Sequence, residues 1–329
     1  MDAFRPLFSN PHLATIAGNF WPRKLDTSSF PIQARFFHTE PGVQILVHSQ
    51  VPSKTPKANL LIVHGLEGSS DAGYARSLSQ VALERGYAAH RFNMRSCGGT
   101  EAVCGKTLYH SGQTSDLLAV ASEIFKETKR PVIFIGFSLG GNVVLKLAGE
   151  LGEDAKSLLA GAISVSAPID LAACARRLAQ RENFIYEYRF VDRLKKRIRL
   201  KERITPGLFP LERLAGVRTV YQFDDAFTAP SFGFGSADNY YATQSSMHFL
   251  EHIRIPTLVI QAQDDPLIPF SVYGHAAFEN NPCLTLVAPR HGGHLGFISR
   301  NGSRFWLDGV LVEWMESLAS LRGRDTLGE

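Results

Sequence analysis

The chain is poor in cysteine, and the four cysteines that it has lie far apart without forming a C-x-x-C pair. Disulfide scaffolds and cysteine-rich metal sites need dense or closely spaced cysteines, so this pattern argues against both and predicts reduced thiols inside a cell. The four residues are Cys97, Cys104, Cys174 and Cys283.

Long apolar runs are absent as well. No stretch approaches the roughly 20 apolar residues that a membrane-spanning helix needs, and the first residues lack the charged-then-apolar pattern of a secretory signal. We therefore expect a cytoplasmic protein without a spanning segment. The 329 residues, 44% of them hydrophobic and 20% charged, are enough for one substantial core with an inserted subdomain.

An excess of charge of one sign is confined to one segment. The formal net charge is +4. Residues 176–203 hold eleven Lys or Arg and four Asp or Glu, a local charge of +7, so the rest of the chain carries −3. No nucleic-acid-binding motif accompanies this segment, and one basic helix is weak evidence for such a partner. We expect no nucleic acid to bind.

Short apolar runs alternate with helical periodicity along most of the chain. The run at 59–63 is almost continuously apolar, which is typical of a strand covered on both faces. The predicted strands are 33–37, 43–47, 59–63, 87–92, 132–135, 161–165, 257–261 and 284–287, and the predicted helices are 74–85, 115–128 and 141–151. This alternation predicts an α/β fold with a mostly parallel sheet, helices on both faces, and ligands bound beyond the carboxyl ends of the strands.

One interruption, residues 171–251, is too long to be a simple connection between strands. We predict that it forms a mainly helical cap over the carboxyl edge of the sheet. Residues 1–170 and 252–329 would then form one discontinuous core.

The basic segment within the interruption has the pattern of an amphipathic helix with a cationic outer face. Its apolar residues recur at helical spacing, at Phe184, Tyr188, Val191, Leu194 and Ile198. We expect a solvated outer face and an apolar side that closes the pocket. The alternative is peripheral contact with lipid through this helix.

The pentapeptide Gly136-Phe137-Ser138-Leu139-Gly140 lies between the buried run at 132–135 and the helix at 141–151. Between a strand and a helix, G-x-S-x-G forms a sharp turn that pushes the serine hydroxyl out of the sheet, and its small residues let helix and strand approach. We therefore predict that Ser138 is a catalytic nucleophile.

A serine nucleophile needs a base to take its proton and an acid to orient that base. With a G-x-S-x-G turn, the acid and then the histidine follow the serine along the chain. Asp264 and Asp265 follow one late strand, and His291 and His294 follow the next. The residues alone do not decide between the two aspartates or between the two histidines. A metal site at the two histidines lacks a third ligand.

Two backbone amides are candidates for the oxyanion hole. The first is that of Leu139, the residue after the nucleophile, and the second lies in the turn after an earlier strand. In His64-Gly65-Leu66 we choose the Leu66 amide over that of Gly65. His64 is expected to brace this turn by hydrogen bonding rather than to act as a base.

Several further motifs accompany these residues along nearly the whole chain. They are Asn10-Pro11-His12-Leu13-Ala14-Thr15, His64-Gly65-Leu66-Glu67-Gly68-Ser69, Asn93-Met94-Arg95-Ser96-Cys97-Gly98-Gly99, residues 109–117, residues 136–142, Phe223-Asp224 with Tyr240-Tyr241, Ala262-Gln263-Asp264-Asp265-Pro266 and residues 292–297. In this set the chain resembles the YheT-like esterases, a branch of the α/β-hydrolases. Ser96 and Ala14 depart from the family pattern, and neither touches the proposed chemistry.

The resemblance implies an α/β-hydrolase fold, Asp265 as the acid of the triad, with Pro269 four residues on, and His294 as its base. It also implies hydrolysis of carboxylic esters through a covalent acyl-enzyme, with no cofactor or metal. The expected partner is a small-molecule ester with a short- to medium-chain acyl group or a lipid-like one. The alternatives are acyl transfer or peptide hydrolysis by the same triad and, from another class, a binding protein without catalysis.

Overall fold

In the computed structural model, which describes residues 4–104 and 107–325, eight strands form a single sheet. The strands are β1 Gln33–Glu40, β2 Val43–Gln50, β3 Asn59–Val63, β4 Ala88–Phe92, β5 Val132–Phe137, β6 Leu159–Val165, β7 Thr257–Ile260 and β8 Leu284–Val287. Their order across the sheet is β1-β2-β4-β3-β5-β6-β7-β8. The pairs β1–β2 and β2–β4 are antiparallel, and all the other pairs are parallel.

The described residues form eleven α-helices. They are α1 Pro11–Phe20, α2 Gly73–Glu84, α3 Ser115–Thr128, α4 Leu139–Leu151, α5 Leu171–Leu178, α6 Phe184–Ile204, α7 Val220–Phe223, α8 Ala229–Ser231, α9 Ala237–Gln244, α10 Ala277–Asn280 and α11 Trp306–Asp325. Alternate residues of β3 belong to two cores: Leu61 packs in the core that α3 and α4 cover, and Leu60 in the core that α2 and α11 cover. The predicted α/β-hydrolase fold, a mostly parallel sheet between two helical layers, is confirmed.

The helix α1 is absent from the sequence prediction, although its start carries a clear signal. The Asn10 side chain accepts hydrogen bonds from the backbone N–H groups of His12 and Leu13 at 3.0 and 3.1 Å, and proline occupies the first helical position. Both features are preferred at helix N-termini. Within residues 4–104 and 107–325, no helix has the length and apolar character that a bilayer crossing requires.

The segment between β6 and β7 contains α5 to α9 and has an apolar cluster of its own. The cluster includes Val191, Leu194, Ile198, Phe209, Phe223 and Phe227. At its end the segment returns to the core, because Asn142 on α4 accepts a hydrogen bond from the Ser246 amide at 2.8 Å. The predicted division into a core and a cap with a boundary at residue 251 stays a prediction.

Two cations of α6 point toward the core and not toward solvent. Arg197 forms a bidentate pair with Glu67 at 2.7 and 2.9 Å. The Lys201 ammonium donates to the carbonyl oxygens of Glu101 and Cys104 at 3.0 and 3.2 Å. The predicted cationic outer face of this helix therefore does not include these two residues, because each finds hydrogen-bond acceptors on the core.

A buried ion pair joins the end of β4 to the start of α3. Arg95 contacts Asp116 through two hydrogen bonds of 2.5 and 2.8 Å, and the two side chains are 3% and 2% exposed. Arg95 also pairs with Glu40 at 2.7 Å. The loss of Arg95 would therefore leave the buried Asp116 without a countercharge, whereas the loss of Asp116 would leave Arg95 with one carboxylate partner instead of two.

We expect Asp116→Asn to lower the free energy of unfolding by about 3 kcal/mol, the lower end of the usual cost of breaking a buried pair on one side, because Glu40 still pairs with Arg95. Urea denaturation measures this change. The control is Glu127→Gln, which breaks the exposed pair with Arg35 and should cost less than about 1 kcal/mol. Equal costs for the two substitutions would contradict the buried pair's role.

Candidate active site

Ser138 occupies a sharp turn between β5 and α4, at φ 53° and ψ −123°. Glycine is required on both sides of the turn. A Cβ on Gly136 would lie 2.2 Å from the carbonyl oxygen of Gly140, and one on Gly140 would lie 2.5 Å from that of Val63. Few L-residues adopt a positive φ, so the surrounding packing must hold the serine in this conformation.

The imidazole of His294 bridges the other two predicted residues. Its Nε2 lies 2.9 Å from the Ser138 Oγ, and its Nδ1 lies 2.9 Å from the Asp265 Oδ2. The Asp265 side chain is fully buried, whereas that of His294 is 10% exposed. The structure thus brings Ser138, His294 and Asp265 into one hydrogen-bonded chain at the carboxyl edge of the sheet.

Backbone and side-chain donors fix the orientation of Asp265. Its Oδ1 accepts hydrogen bonds from the Leu267 and Ile268 amides at 2.8 and 3.1 Å. Its Oδ2 accepts a third from the Gln261 Nε2 at 3.2 Å. Because the loop itself supplies two of these donors, it turns Asp265 and not its neighbour toward His294.

The alternative residues form a separate pair. The Nδ1 of His291 lies 3.0 Å from the Asp264 Oδ2, and the Asp264 Oδ1 accepts a hydrogen bond from the Gly293 amide at 2.9 Å. The His291 side chain is 42% exposed. Asp264 and His291 therefore brace the loop that carries His294, and neither contacts Ser138.

Helix α1 supports the same loop from the other side. Thr15 donates to the Pro11 carbonyl oxygen at 2.7 Å and accepts a hydrogen bond from the His294 amide at 2.8 Å. A Cβ on Gly18 would lie 2.6 Å from the Cα of Gly296, so helix and loop are in direct contact. Thr15 belongs to the motif Asn10–Thr15, and no local pattern in the sequence indicates this contact with His294.

The turn after β3 approaches Ser138. The Nε2 of His64 accepts a hydrogen bond from the Met94 amide at 3.1 Å, so its Nδ1 carries the proton and donates to the Gly65 carbonyl oxygen at 2.7 Å. Burial lowers the pKa of His64 to about 4, and the ring is neutral. A Cβ on Gly65 would lie 3.0 Å from that of Ser138. His64 thus braces a turn that lies directly beside the serine.

The two predicted oxyanion residues border the same space. Leu66 and Leu139 line a cavity together with Ser138 and His294. Within the described part of the chain, neither of their amides donates a hydrogen bond to a protein group. The Gly65 amide, by contrast, already donates to the Tyr74 hydroxyl at 3.0 Å.

Two cavities meet at Ser138. The inner cavity, between the core and the inserted segment, has mostly apolar walls, which include Leu171, Phe190, Leu194, Phe223 and Ile268. The outer cavity, between α1 and α6, is lined by Ile16, Phe20, Tyr186, Arg189 and Arg193. Ser138, His294, Leu66 and Arg197 line both. The serine hydroxyl is thus accessible from an apolar chamber and from a more polar one.

The chain is similar in sequence to a known family and to its members. A family model described as the alpha/beta hydrolase fold matches residues 58–300. YheT of Escherichia coli, which is named as an esterase, is 32% identical over 314 residues, 94% of this chain and 91% of YheT. A monoacylglycerol lipase of Saccharomyces cerevisiae is 30% identical over 273 residues, 80% of this chain and 60% of the yeast protein.

Among solved structures, the esterase Pf2001 of Pyrococcus furiosus is similar in fold. Its TM-score is 0.57 with 15% sequence identity, and the match covers 98% of each chain. At this level of identity the likeness concerns the fold alone.

The strained turn gives a prediction that does not depend on activity. We expect the free energy of unfolding of Ser138→Gly to be about 1 kcal/mol larger than that of Ser138→Ala, because glycine adopts φ 53° without the strain that a Cβ causes. Both variants lack the hydroxyl, so the comparison isolates the backbone. Urea denaturation of the pair measures the difference, and a less stable glycine variant would show that the turn is not strained.

Proposed function

This chain belongs to the α/β-hydrolase family, in its YheT-like branch, and we propose that it is a serine hydrolase that cleaves carboxylic esters through a covalent acyl-enzyme. The observation that carries the proposal is the hydrogen-bonded chain Ser138–His294–Asp265, with both links at 2.9 Å. A binding protein without catalysis has no need of this arrangement. The relatives named as an esterase and a lipase support the same reaction class.

The proposed reaction begins with attack of the Ser138 Oγ on the ester carbonyl carbon. His294 accepts the hydroxyl proton at Nε2, and Asp265 holds the imidazole through Nδ1 and stabilises its charged form. When the tetrahedral intermediate collapses, the C–O bond to the alcohol breaks and His294 gives that oxygen the proton. Water then repeats the sequence against the acyl-enzyme, which releases the carboxylic acid and regenerates the serine.

We propose that the Leu66 and Leu139 amides bind the oxyanion. Leu139 is the first residue of α4, so its N–H lies at the positive end of the helix dipole. Leu66 is preferred over Gly65 because the Gly65 N–H is already bound to Tyr74. Donors of this kind stabilise the transition state by about 3 kcal/mol each.

The apolar inner cavity supports the proposal that the substrate has an acyl group of short to medium length, or a lipid-like one. Its walls come from the core, at Leu139 and Ile268, and from the inserted segment, at Leu171, Leu194 and Phe223. Each methylene that leaves water for such a wall contributes about 0.8 kcal/mol. The ester bond would then lie at Ser138, with the alcohol toward the outer cavity.

We expect the protein to hydrolyse p-nitrophenyl butyrate, and expect Ser138→Ala and His294→Ala each to lower kcat/KM by at least about 10³-fold, since each removes a member of the triad. His291→Ala is the matched control, because His291 contacts Asp264 and not Ser138. It should keep most of the activity. Equal losses for the two histidine variants would contradict the assignment of the base.

Asp265→Asn should lower kcat by about 10²- to 10⁴-fold with little change in KM, because the amide no longer holds the imidazole in the correct tautomer. Steady-state kinetics with the same ester measures both constants. A variant that keeps kcat and loses only affinity would show that Asp265 does not act through His294.

A further inference from the structure

Exposed apolar side chains are concentrated at one place on the surface. Twelve large apolar side chains of the described residues are exposed, and six of them lie on α1 or the first five residues of α6. These six are between 45% and 71% exposed. They are Leu13, Ile16, Phe20, Phe184, Ile185 and Tyr188, and we call them the apolar patch. Clusters of this kind mark interaction sites more often than single exposed residues do.

Direct contacts between α1 and α6 make the patch one surface. His12 stacks on Tyr186 with ring centroids 5.7 Å apart, and the His12 Nδ1 lies 3.2 Å from the Tyr186 hydroxyl. The Arg189 guanidinium lies 5.3 Å from the centroid of the Phe20 ring. Since α1 carries no acidic or basic side chain other than His12, only the α6 side of the patch is charged.

The patch borders the mouth of the outer cavity. Ile16 and Phe20 line that cavity on the α1 side, and Arg189 and Arg193 line it on the α6 side. The same cavity reaches Ser138. A molecule held at the patch is therefore next to an opening that leads to the nucleophile.

Cations without carboxylate partners flank the patch. Arg181 precedes Phe184 by three residues, and Arg189 and Arg193 follow Tyr188 on successive turns of α6. In the described residues, none of these three arginines forms an ion pair with a carboxylate. Arg193 donates only to the Glu67 carbonyl oxygen, at 3.3 Å. Their charge is available to an anionic partner.

From these observations we propose that the patch is a docking surface for an anionic lipid layer, from which the outer cavity receives the ester. An exposed apolar helix face bordered by arginines has the composition of segments that lie in the plane of a membrane interface. A second copy of the chain is less suited to this surface, because a self-complementary contact would bring the unpaired arginines of both copies together. Docking itself does not depend on the proposed hydrolysis, whereas delivery of the ester does.

The test uses the full chain with Ser138→Ala, so that the protein cannot turn over an ester during the binding measurement. The vesicles are phosphatidylcholine with or without phosphatidylglycerol at about 30 mol%, a fraction that gives the vesicle a negative surface potential. We expect binding to the anionic vesicles and at least about tenfold weaker binding to the neutral ones or at 0.5 M salt, because salt screens surface charge. Leu13→Ser with Ile185→Ser should weaken anionic binding about tenfold or more, and so should Arg181→Gln with Arg189→Gln.

The control double variant is Ile32→Ser with Phe36→Ser, which removes two exposed apolar side chains elsewhere on the surface and should bind like the parent. Absence of vesicle binding, or equal binding by parent and patch variants, would overturn the proposal. A stable dimer that Leu13→Ser with Ile185→Ser dissociates would assign the patch to a second copy instead. Hydrolysis of p-nitrophenyl butyrate by the patch variants carrying Ser138 tests the proposed function separately.

Discussion

The positive φ of Ser138 is the constraint on which the arrangement of the site depends. It exists because Gly136 and Gly140 let α4 approach the ends of β3 and β5 more closely than any Cβ would allow. The same close approach brings the turn after β3 against the serine, so that Gly65 and Leu66 lie beside it. Strain of this kind persists only where surrounding packing holds it, and here the parallel sheet supplies that packing.

Helix α1 links His294, the proposed base, to the surface. Through Thr15 it holds the His294 amide, and through Gly18 it packs on the loop at Gly296. Its opposite face carries half of the apolar patch. A helix that binds lipid on one side and positions the proposed base on the other would couple docking to the geometry of the site, without a separate moving element.

The strand-helix alternation and the sharp turn at Ser138 could be predicted from the sequence because both rest on local patterns. The bounds of β3, α3 and β8 agree with the prediction. The choice between Asp264 and Asp265 could not be derived from the residues, since adjacent side chains point in different directions and the rotation of the loop depends on the Leu267 and Ile268 amides. The family resemblance supplied it. The inward direction of Arg197 depends on Glu67, 130 positions away, and no local pattern predicts it.

The most direct measurement is the intact mass of the protein after reaction with a fluorophosphonate, followed by mapping of the modified peptide. A serine activated by His294 and Asp265 should take up one equivalent of the probe on Ser138, and His294→Ala should react much more slowly. A native protein that stays unmodified, or a Ser138→Ala variant that is labelled as readily as the parent, would contradict the proposed nucleophile.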